Sequence, residues 1–250
     1  MQIEAKKELN KTVKIMFGQC GYNGKLHLEQ VMQYCADFVT ELYTQNGQSR
    51  SFLNSCGYIQ MVSRTSIHIN RLPQENEIIN IKVQEEKPEG FQMNRYYNFS
   101  DEKGNTLIEG KSLWVIVSPE TREIISPENF KYCIHSDLQT PFEKKPGKIR
   151  FSSDLLKYLG EQKILLSHLD PNGHLTNSRY INFALDFLPD EYQAKDFCDF
   201  RLNFCKEMKK GEIMYIFGVF DDENKKIIVA GKRQKDIKSE SSFECELIYK

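Results

Sequence analysis

Residues 15–43 read IMFGQCGYNGKLHLEQVMQYCADFVTELY, and residues 164–192 read ILLSHLDPNGHLTNSRYINFALDFLPDEY. When the second stretch is laid under the first with a shift of 149 positions, identical residues fall in register. They are Ile15 with Ile164, Asn23 with Asn172, Gly24 with Gly173, Leu26 with Leu175, Asp37 with Asp186, Phe38 with Phe187, and Tyr43 with Tyr192. Self-similarity at a fixed spacing indicates a repeated structural unit. We therefore expect two diverged copies of one unit.

Each stretch begins with a short apolar strand, VKIMF or KILLS, which leads into a loop containing Asn-Gly. A helix is predicted after each loop, because apolar residues recur at helical spacing. In the first copy they are Leu28, Val31, Met32, Cys35, Phe38, Val39 and Leu42; in the second they are Tyr180, Ile181, Ala184, Leu185 and Leu188. Thr176 or Asn177 is the expected N-cap of the second helix.

After each helix the apolar pattern changes to the spacing of strands, with turn sequences between them. Strands are predicted at 58–70, 77–86, 91–100 and 106–117, and again at 196–206, 212–221, 225–233 and 241–249. Here the shift between copies is 135, because the second copy has a shorter connection from helix to sheet. Each unit is thus an α+β arrangement of a strand, a long helix and four antiparallel strands, called a hotdog. The alternative is that the two halves share α+β patterning by coincidence.

We divide the chain into residues 1–120 as a non-catalytic hotdog unit, 121–150 as a linker, and 151–250 as a second unit carrying the active site. The linker is predicted because this stretch is polar and contains prolines. A single hotdog unit leaves a sheet edge exposed, so such units usually pair. Fusion of two copies would make that pairing intramolecular, and the fused pair could associate further into a homodimer.

Composition excludes several classes of protein. The formal net charge of −1 gives no overall attraction to nucleic acid or to a membrane surface. The first residues lack the apolar core of a signal peptide, and no apolar run is long enough to span a membrane. The seven cysteines are odd in number and form no CxxC pair, so we expect reduced, structural thiols. These features predict a soluble cytoplasmic protein.

The two copies differ where the chemistry would lie. Asp170 is matched by Gly21, His174 by Lys25, and Glu207 by Leu72, so these ionisable groups occur only in the second copy. An imidazole can take a proton from water at neutral pH, and a carboxylate can fix its tautomer. Taken singly, Asp-Pro-Asn-Gly is also a good turn sequence, and His174 or Glu207 could be an ordinary surface residue. Only their combination predicts an active site.

The segment Leu169–Tyr180, which reads LDPNGHLTNSRY, resembles the acyl-acyl-carrier-protein thioesterases of bacteria and plant plastids, whose signature is Asp-x-Asn-x-His-x-x-Asn-x-x-Tyr before a helix. Residues 65–73 and 111–117 resemble signatures of the first half of the same family. The resemblance implies a tandem hotdog that releases free fatty acid and ends fatty acid synthesis, with acyl carrier protein as partner and no metal or cofactor. It implies Asp170, Asn172, His174 and Glu207 as catalytic residues, and Asn177 and Tyr180 as substrate-binding residues.

One departure concerns the residue after the glutamate, which is cysteine in plant members and Met208 here. A thioether is no nucleophile for this reaction, so activated water must attack, with either His174 or Glu207 as base. The expected acyl site is an apolar tunnel between helix and sheet of the first copy. The alternatives are an acyl-CoA thioesterase, a non-catalytic acyl-binding protein, and a hydratase, whose Asp and His stand one residue further apart. Lysines 206, 209 and 210, or Arg179, could form a surface for the acidic carrier protein.

Overall fold

The computed structural model describes residues 5–138 and 140–250. The chain divides into two compact units, Met1–Pro146 and Gly147–Lys250. This boundary falls within the stretch predicted as a linker, residues 121–150. No helix of the described residues is long and apolar enough to cross a membrane.

The first unit is an antiparallel sheet with one long helix. Its strands are β1 (Glu8–Lys14), β2 (Ile59–Ile69), β3 (Ile78–Glu89), β4 (Gln92–Asp101), β5 (Thr106–Val117) and the short β6 (Ile124–Ile125). They lie in the order β1-β3-β4-β5-β2, and β6 pairs with β5. The long helix α1 (Leu28–Gln45) and the short helix α2 (Arg50–Ser55) lie between β1 and β2 in the chain. Neither α2 nor β6 was predicted from the sequence.

The second unit repeats this topology. Its strands are β7 (Lys157–Lys163), β8 (Phe197–Phe204), β9 (Ile213–Asp221), β10 (Lys226–Lys232) and β11 (Ser241–Tyr249), in the order β8-β11-β10-β9-β7. Its helices are α3 (Arg179–Asp186) and α4 (Asp190–Gln193). Counting from the first strand of each unit, the strand order is the same in both sheets. The prediction of one strand, a helix and four antiparallel strands per copy is confirmed.

Matching backbone hydrogen bonds establish the duplication residue by residue. The N–H of Leu26 donates to the Pro73 carbonyl at 2.8 Å, and the N–H of Leu175 donates to the Met208 carbonyl at 2.8 Å. The N–H of Ile15 donates to the backbone carbonyl of Glu77 at 2.8 Å, and the N–H of Ile164 donates to the backbone carbonyl of Glu212 at 2.9 Å. In both pairs the donors are shifted by 149 and the acceptors by 135. Both shifts found in the sequence are therefore confirmed.

The first strand of each copy ends earlier than predicted. Strands β1 and β7 stop at Lys14 and Lys163, and residues 17–19 and 166–168 form single 3-10 turns. The residue that follows each strand, Ile15 or Ile164, is completely buried. Each of these isoleucines marks the point where the chain leaves the sheet edge and turns toward the helix.

The second helix is much shorter than the first and begins later than predicted. Helix α1 has 18 residues, whereas α3 has eight and ends before Leu188, because the residue before Pro189 is disfavoured in helical conformation. Its N-cap is Ser178, so the prediction of Thr176 or Asn177 is wrong. The hydroxyl of Thr176 donates instead to the carbonyl of His168 at 3.1 Å, which braces the preceding loop.

Residues 121–138 and 140–146, most of the predicted linker, belong to the first unit. Phe130, Ile134 and Phe142 are buried, and Ser136 forms a bridge with Glu86 at the edge of β3. The side chain of Thr140 contacts the carboxylate of Glu86. These contacts make the segment part of the first unit's folded structure.

The layer between α1 and the first sheet contains one charged pair. Arg95 on β4 and Glu85 on β3 face each other across the strands with Nε and Oε1 2.5 Å apart, and both side chains are completely buried. The guanidinium also lies 4.1 Å from the centre of the Trp114 ring. Burial raises the pKa of Glu85, and the charge of Arg95 opposes that rise.

We expect the loss of one member of this pair to destabilise the protein much more than the loss of both members. Arg95→Met leaves a buried carboxylate without its partner and should lower the free energy of unfolding by about 3–5 kcal/mol. The double variant Glu85→Met/Arg95→Met has no uncompensated charge, so it should lose far less or gain stability. Urea denaturation at pH 8 measures both values. Equal losses in the single and double variants would contradict this account.

Candidate active site

The loop at residues 169–175 is a tight turn closed by main-chain hydrogen bonds. Leu169 and Leu175 form a bridge, and the N–H of Asp170 donates to the His174 carbonyl at 2.8 Å. Gly173 has φ of 79°, a left-handed conformation that glycine adopts without strain. The Asn-Gly sequence thus supplies the turn that carries the predicted catalytic residues, as expected from turn chemistry.

Asp170 stabilises this loop through its carboxylate. Its Oδ1 accepts from the N–H of Asn172 at 2.8 Å and from the N–H of His174 at 3.2 Å. Its Oδ2 accepts from the side-chain amide of Asn172 at 3.1 Å. We expected this carboxylate to fix the tautomer of the His174 ring. Instead, the carboxylate accepts a hydrogen bond from the backbone N–H of His174, and it thereby fixes the position of that residue.

The ring of His174 meets the carboxylate of Glu207. Their Nε2 and Oε2 atoms are 3.3 Å apart, with 24% and 34% of the side chains exposed. Glu207 follows the end of β8 on a segment joined to the loop twice, by the bond from Leu175 to Met208 and by a bridge between His174 and Lys209. The structure therefore brings together all four residues predicted as catalytic, in one partly exposed cluster.

The two residues predicted to bind substrate have different surroundings. Tyr180 is buried, and its ring packs against Phe204 and Phe243 at centroid distances of 5.6 and 5.3 Å. Burial raises the pKa of its hydroxyl to about 12. These contacts are those of a core residue. Asn177 lies half-buried in the turn just before α3.

Ser242 supports the site and was not found from the sequence. Its hydroxyl donates to the Lys206 carbonyl at 2.7 Å, and its own carbonyl accepts from the N–H groups of Cys205 and Lys206. The same hydroxyl lies 3.4 Å from that of Tyr180. Ser242 thereby fixes the segment that carries Glu207. A serine near the start of a strand carries no sequence signal for such a role.

His168 has a structural role in the loop. Its Nδ1 accepts from the N–H of Leu165 at 3.2 Å, and its ring stacks edge-on against Phe183 at 5.3 Å. Its carbonyl accepts from the N–H of Thr176 at 3.0 Å. These bonds hold together the two ends of the active-site loop.

The first unit repeats the loop without its ionisable groups. The N–H of Gly21 donates to the Lys25 carbonyl at 2.9 Å, which matches the bond from Asp170 to His174. The N–H of Lys25 donates to the side-chain oxygen of Asn23 at 3.0 Å. In the second copy, the corresponding N–H of His174 donates to Asp170. The same backbone is therefore formed in both units, and only one carries the imidazole and carboxylates.

The cysteine thiols and the possible metal-binding side chains were considered as further reactive groups. Met208 is buried at the position where a cysteine would be needed, and Cys205 is exposed. All seven cysteines are free thiols. Over residues 5–138 and 140–250, no group of three or more His, Cys, Asp or Glu side chains is arranged to hold a metal ion.

Family models match most of the chain. The acyl-ACP thioesterase N-terminal domain matches residues 6–129, and the acyl-ACP thioesterase C-terminal domain matches residues 160–246. A curated relative, the chloroplastic palmitoyl-acyl carrier protein thioesterase of Cuphea hookeriana, is 22% identical over 168 residues. That alignment covers 62% of this chain and 40% of the relative, so the chain spans less than half the length of that protein.

Solved structures share the fold over nearly the whole chain. An acyl-ACP thioesterase from Bacteroides thetaiotaomicron has a TM-score of 0.86 at 22% identity, with 98% of each chain covered. A 12:0-ACP thioesterase from Umbellularia californica has a TM-score of 0.80 at 14% identity, again with 98% of each chain covered. These likenesses confirm the predicted α+β tandem hotdog fold.

The two glycines of the repeated loop provide a matched test of its geometry. A Cβ added at Gly24 or Gly173 would meet nothing within 4 Å, so Gly→Ala costs only the strain of positive φ. We expect each substitution to lower the free energy of unfolding by a similar amount, about 1–2 kcal/mol. Only Gly173→Ala should also shift the ring resonances of His174 in ¹H–¹³C NMR spectra. A shift caused equally by Gly24→Ala would contradict the local role of the second loop.

Proposed function

Because this chain belongs to the acyl-ACP thioesterase family, we propose that it hydrolyses the thioester of an acyl-acyl carrier protein to a free fatty acid and the carrier protein. The observation that carries the proposal is the 3.3 Å contact between His174 Nε2 and Glu207 Oε2, in the one copy that has both groups. Water held by such a pair can be deprotonated at neutral pH. The seven free thiols fit a reducing compartment, and we place the reaction in the cytoplasm.

The proposed reaction is attack of water on the thioester carbonyl. His174 or Glu207 takes a proton from water, and the oxygen forms a bond to the carbonyl carbon. The tetrahedral intermediate then collapses with cleavage of the C–S bond, and the proton passes to the leaving sulfur. Free acid and thiol are the products. No cysteine nucleophile is needed, which agrees with the buried thioether of Met208.

Asn172 and Asp170 have supporting roles in this mechanism. The side-chain amide of Asn172 donates to Asp170 at 3.1 Å, which holds it in the loop next to His174. In the proposed mechanism this amide turns toward the substrate carbonyl and stabilises the developing oxyanion. Asp170 is a positioning residue, since its carboxylate holds the backbone N–H groups of Asn172 and His174. We propose residues 1–120 as the acyl-binding copy and residues 151–250 as the catalytic copy.

Removal of either member of the central pair should abolish most of the activity. His174→Gln and Glu207→Gln keep comparable size and polarity, and each should lower kcat on acyl carrier protein thioesters by about a hundredfold or more. Free thiol is followed over a panel of chain lengths. Lys25→Gln is the matched control, because Lys25 occupies the equivalent position of the first copy, and it should leave kcat unchanged.

Two outcomes of that panel would contradict the proposal. Release of thiol from acyl-CoA but from no carrier protein thioester would favour an acyl-CoA thioesterase. A folded protein that binds acyl chains and hydrolyses neither thioester would favour a non-catalytic acyl-binding protein. Full activity in both His174→Gln and Glu207→Gln would place the chemistry elsewhere in the chain.

We further propose that exposed lysines beside the loop bind the acidic carrier protein. Lys209 forms the bridge with His174, and Lys210 is the next residue along; both are exposed. Lys206 is also exposed, but its ammonium lies 3.8 Å from Glu240, and Arg179 is half-buried. Basic side chains next to a catalytic loop would speed the encounter with an acidic partner. Lys209 and Lys210 are therefore the strongest candidates.

Charge reversal at these lysines should affect one substrate class only. Lys209→Glu/Lys210→Glu should raise KM for acyl carrier protein thioesters about tenfold or more at low salt and leave KM for acyl-CoA nearly unchanged. The matched control is Lys225→Glu/Lys226→Glu, at the far end of β9 from the site. Equal changes for both substrates, or in both variants, would show that these lysines do not recognise the carrier.

A further inference from the structure

Two buried hydroxyl groups lie beside the segment that carries Glu207. The hydroxyl of Ser242, on β11, donates to the carbonyl of Lys206 at 2.7 Å. Its oxygen also lies 3.4 Å from the hydroxyl oxygen of Tyr180, on α3. Both side chains are buried, which shields these contacts from solvent. We call Tyr180 and Ser242 the hydroxyl pair.

The ring of Tyr180 holds its hydroxyl in place. It packs against Phe204, the last residue of β8, at a centroid distance of 5.6 Å, and against Phe243 of β11 at 5.3 Å. Tyr180 is also the second residue of α3, the helix that follows the loop carrying His174. The hydroxyl pair therefore joins that helix to the segment that contains Glu207.

The hydroxyl pair contacts the main chain on both sides of Glu207. Ser242 bonds the carbonyl of Lys206, the residue before the glutamate. Burial raises the pKa of Tyr180, and a hydrogen bond with Ser242 opposes that rise. The charge of Glu207 raises the same pKa, and a hydrogen bond with the backbone of Met208 lowers it. The tyrosine hydroxyl is thus next to the residue that follows the glutamate.

The position of Glu207 is not set by strand pairing. The residue lies between β8 and β9, outside both strands, so its backbone depends on contacts made by its neighbours. Its Oε2 atom has to stay within reach of His174 Nε2, which is 3.3 Å away. A displacement of about 1 Å in a catalytic group can lower a rate by about a hundredfold.

The first copy forms the same backbone at this place. The N–H groups of residues 205 and 206 donate to the Ser242 carbonyl at 2.8 and 3.1 Å. In the first copy the N–H groups of residues 70 and 71 donate to the Leu107 carbonyl at 3.0 and 3.3 Å. The shift between the two sets is 135 throughout. The segment therefore folds in this way with or without a hydroxyl on the supporting strand.

The side chains of the hydroxyl pair occur only in the copy that has the glutamate. Their counterparts in the first copy are buried and cannot make these bonds, because two are hydrocarbon side chains and the third is a proline, which has no N–H. They are Val31 for Tyr180, Leu107 for Ser242, and Pro73 for Met208. Folding alone does not require the hydroxyl pair, and its presence coincides with that of the catalytic groups.

We propose that Tyr180 and Ser242 are positioning residues that hold the carboxylate of Glu207 at the ring of His174. This proposal rests on the proposed function, and it adds to it the groups that fix the geometry of the central pair. Tyr180 then acts on the reaction through Glu207 and not by contact with the substrate.

Tyr180→Phe and Ser242→Ala remove one oxygen atom each and keep the ring and the strand in place. Each variant of the full-length protein should lower kcat on acyl carrier protein thioesters about tenfold and leave KM nearly unchanged, because the glutamate is displaced while the substrate contacts remain. Ser242→Thr keeps the hydroxyl and should recover most of the lost kcat. A rise in KM at unchanged kcat in Tyr180→Phe would overturn the proposal in favour of substrate binding by Tyr180.

Tyr249→Phe is the matched control variant. Tyr249 is buried in the same unit, seven residues or roughly 20 Å further along β11 than Ser242, and its hydroxyl donates to Asp222 at 2.8 Å. Its loss should lower the melting temperature about as much as Tyr180→Phe does and leave kcat unchanged. Equal losses of kcat in both variants would overturn the proposal, since the effect would then be general destabilisation.

Combination with Glu207→Gln tests the route of the effect. Once the carboxylate is absent, there is no charged group left to position, so Tyr180→Phe should lower the residual kcat of Glu207→Gln by less than about twofold. A further tenfold loss in the double variant would overturn the proposal, because Tyr180 would then act independently of Glu207.

The ring resonances of His174 in ¹H–¹³C NMR spectra report on the pair without catalysis. Tyr180→Phe and Ser242→Ala should shift them, since the carboxylate 3.3 Å from the ring moves, and Tyr249→Phe should not. Unchanged resonances and unchanged kcat in the first two variants, with an active native protein, would overturn the proposal and leave the proposed function intact. Shifted resonances in a protein that hydrolyses no thioester would support the positioning role and overturn the proposed function.

Discussion

The proposed active site is held together by a main-chain hydrogen bond from the N–H of Leu175 to the carbonyl of Met208. The loop contributes the histidine and the segment after β8 contributes the glutamate, and these lie far apart in the sequence. The main-chain bond at 2.8 Å lies next to both residues, and together with the bridge between His174 and Lys209 it holds the two segments side by side. Its counterpart in the first unit, from Leu26 to Pro73, has the same length and joins residues that have no catalytic groups. This hydrogen bond therefore belongs to the fold of both units, and in the second unit it also brings His174 and Glu207 together.

This separation of scaffold and chemistry explains why the comparison of the two copies was informative. Backbone N–H and C=O groups impose the same loop wherever Asn-Gly and the buried leucine are present. The side chains at Asp170, His174 and Glu207 are not required for that geometry, since Gly21, Lys25 and Leu72 stand at the equivalent positions. Residues that differ on an identical backbone are thus free to carry function, whereas residues that match are explained by folding.

The sequence was sufficient for the two units, their succession of strand, helix and four antiparallel strands, and the four candidate residues, because apolar spacing and turn residues are local signals. It was not sufficient for features set by tertiary contacts. The end of α3 depends on Pro189, but the beginning of α3 depends on Thr176 bonding back to His168, which spacing does not reveal. The contact of Asp170 with main-chain N–H groups, and the support given by Ser242, arise from the same kind of long-range geometry. The pairing of Glu85 with Arg95 requires the register of β3 against β4.

The two copies differ in helix length and in the charge of the layer beneath the helix. Helix α1 has 18 residues, and its Tyr43 ring lies 5.1 Å from the guanidinium carbon of Arg95, whereas α3 has eight residues. A buried ion pair is often no more stabilising than well-packed apolar residues of similar volume, so stability alone does not require it here. In the second copy, the position equivalent to Glu85 under the shift of 135 is Phe220, and its cross-strand partner Ile227 stands where Arg95 pairs with Glu85. The fold therefore forms without these charges, and the buried ion pair is a feature of the first copy alone.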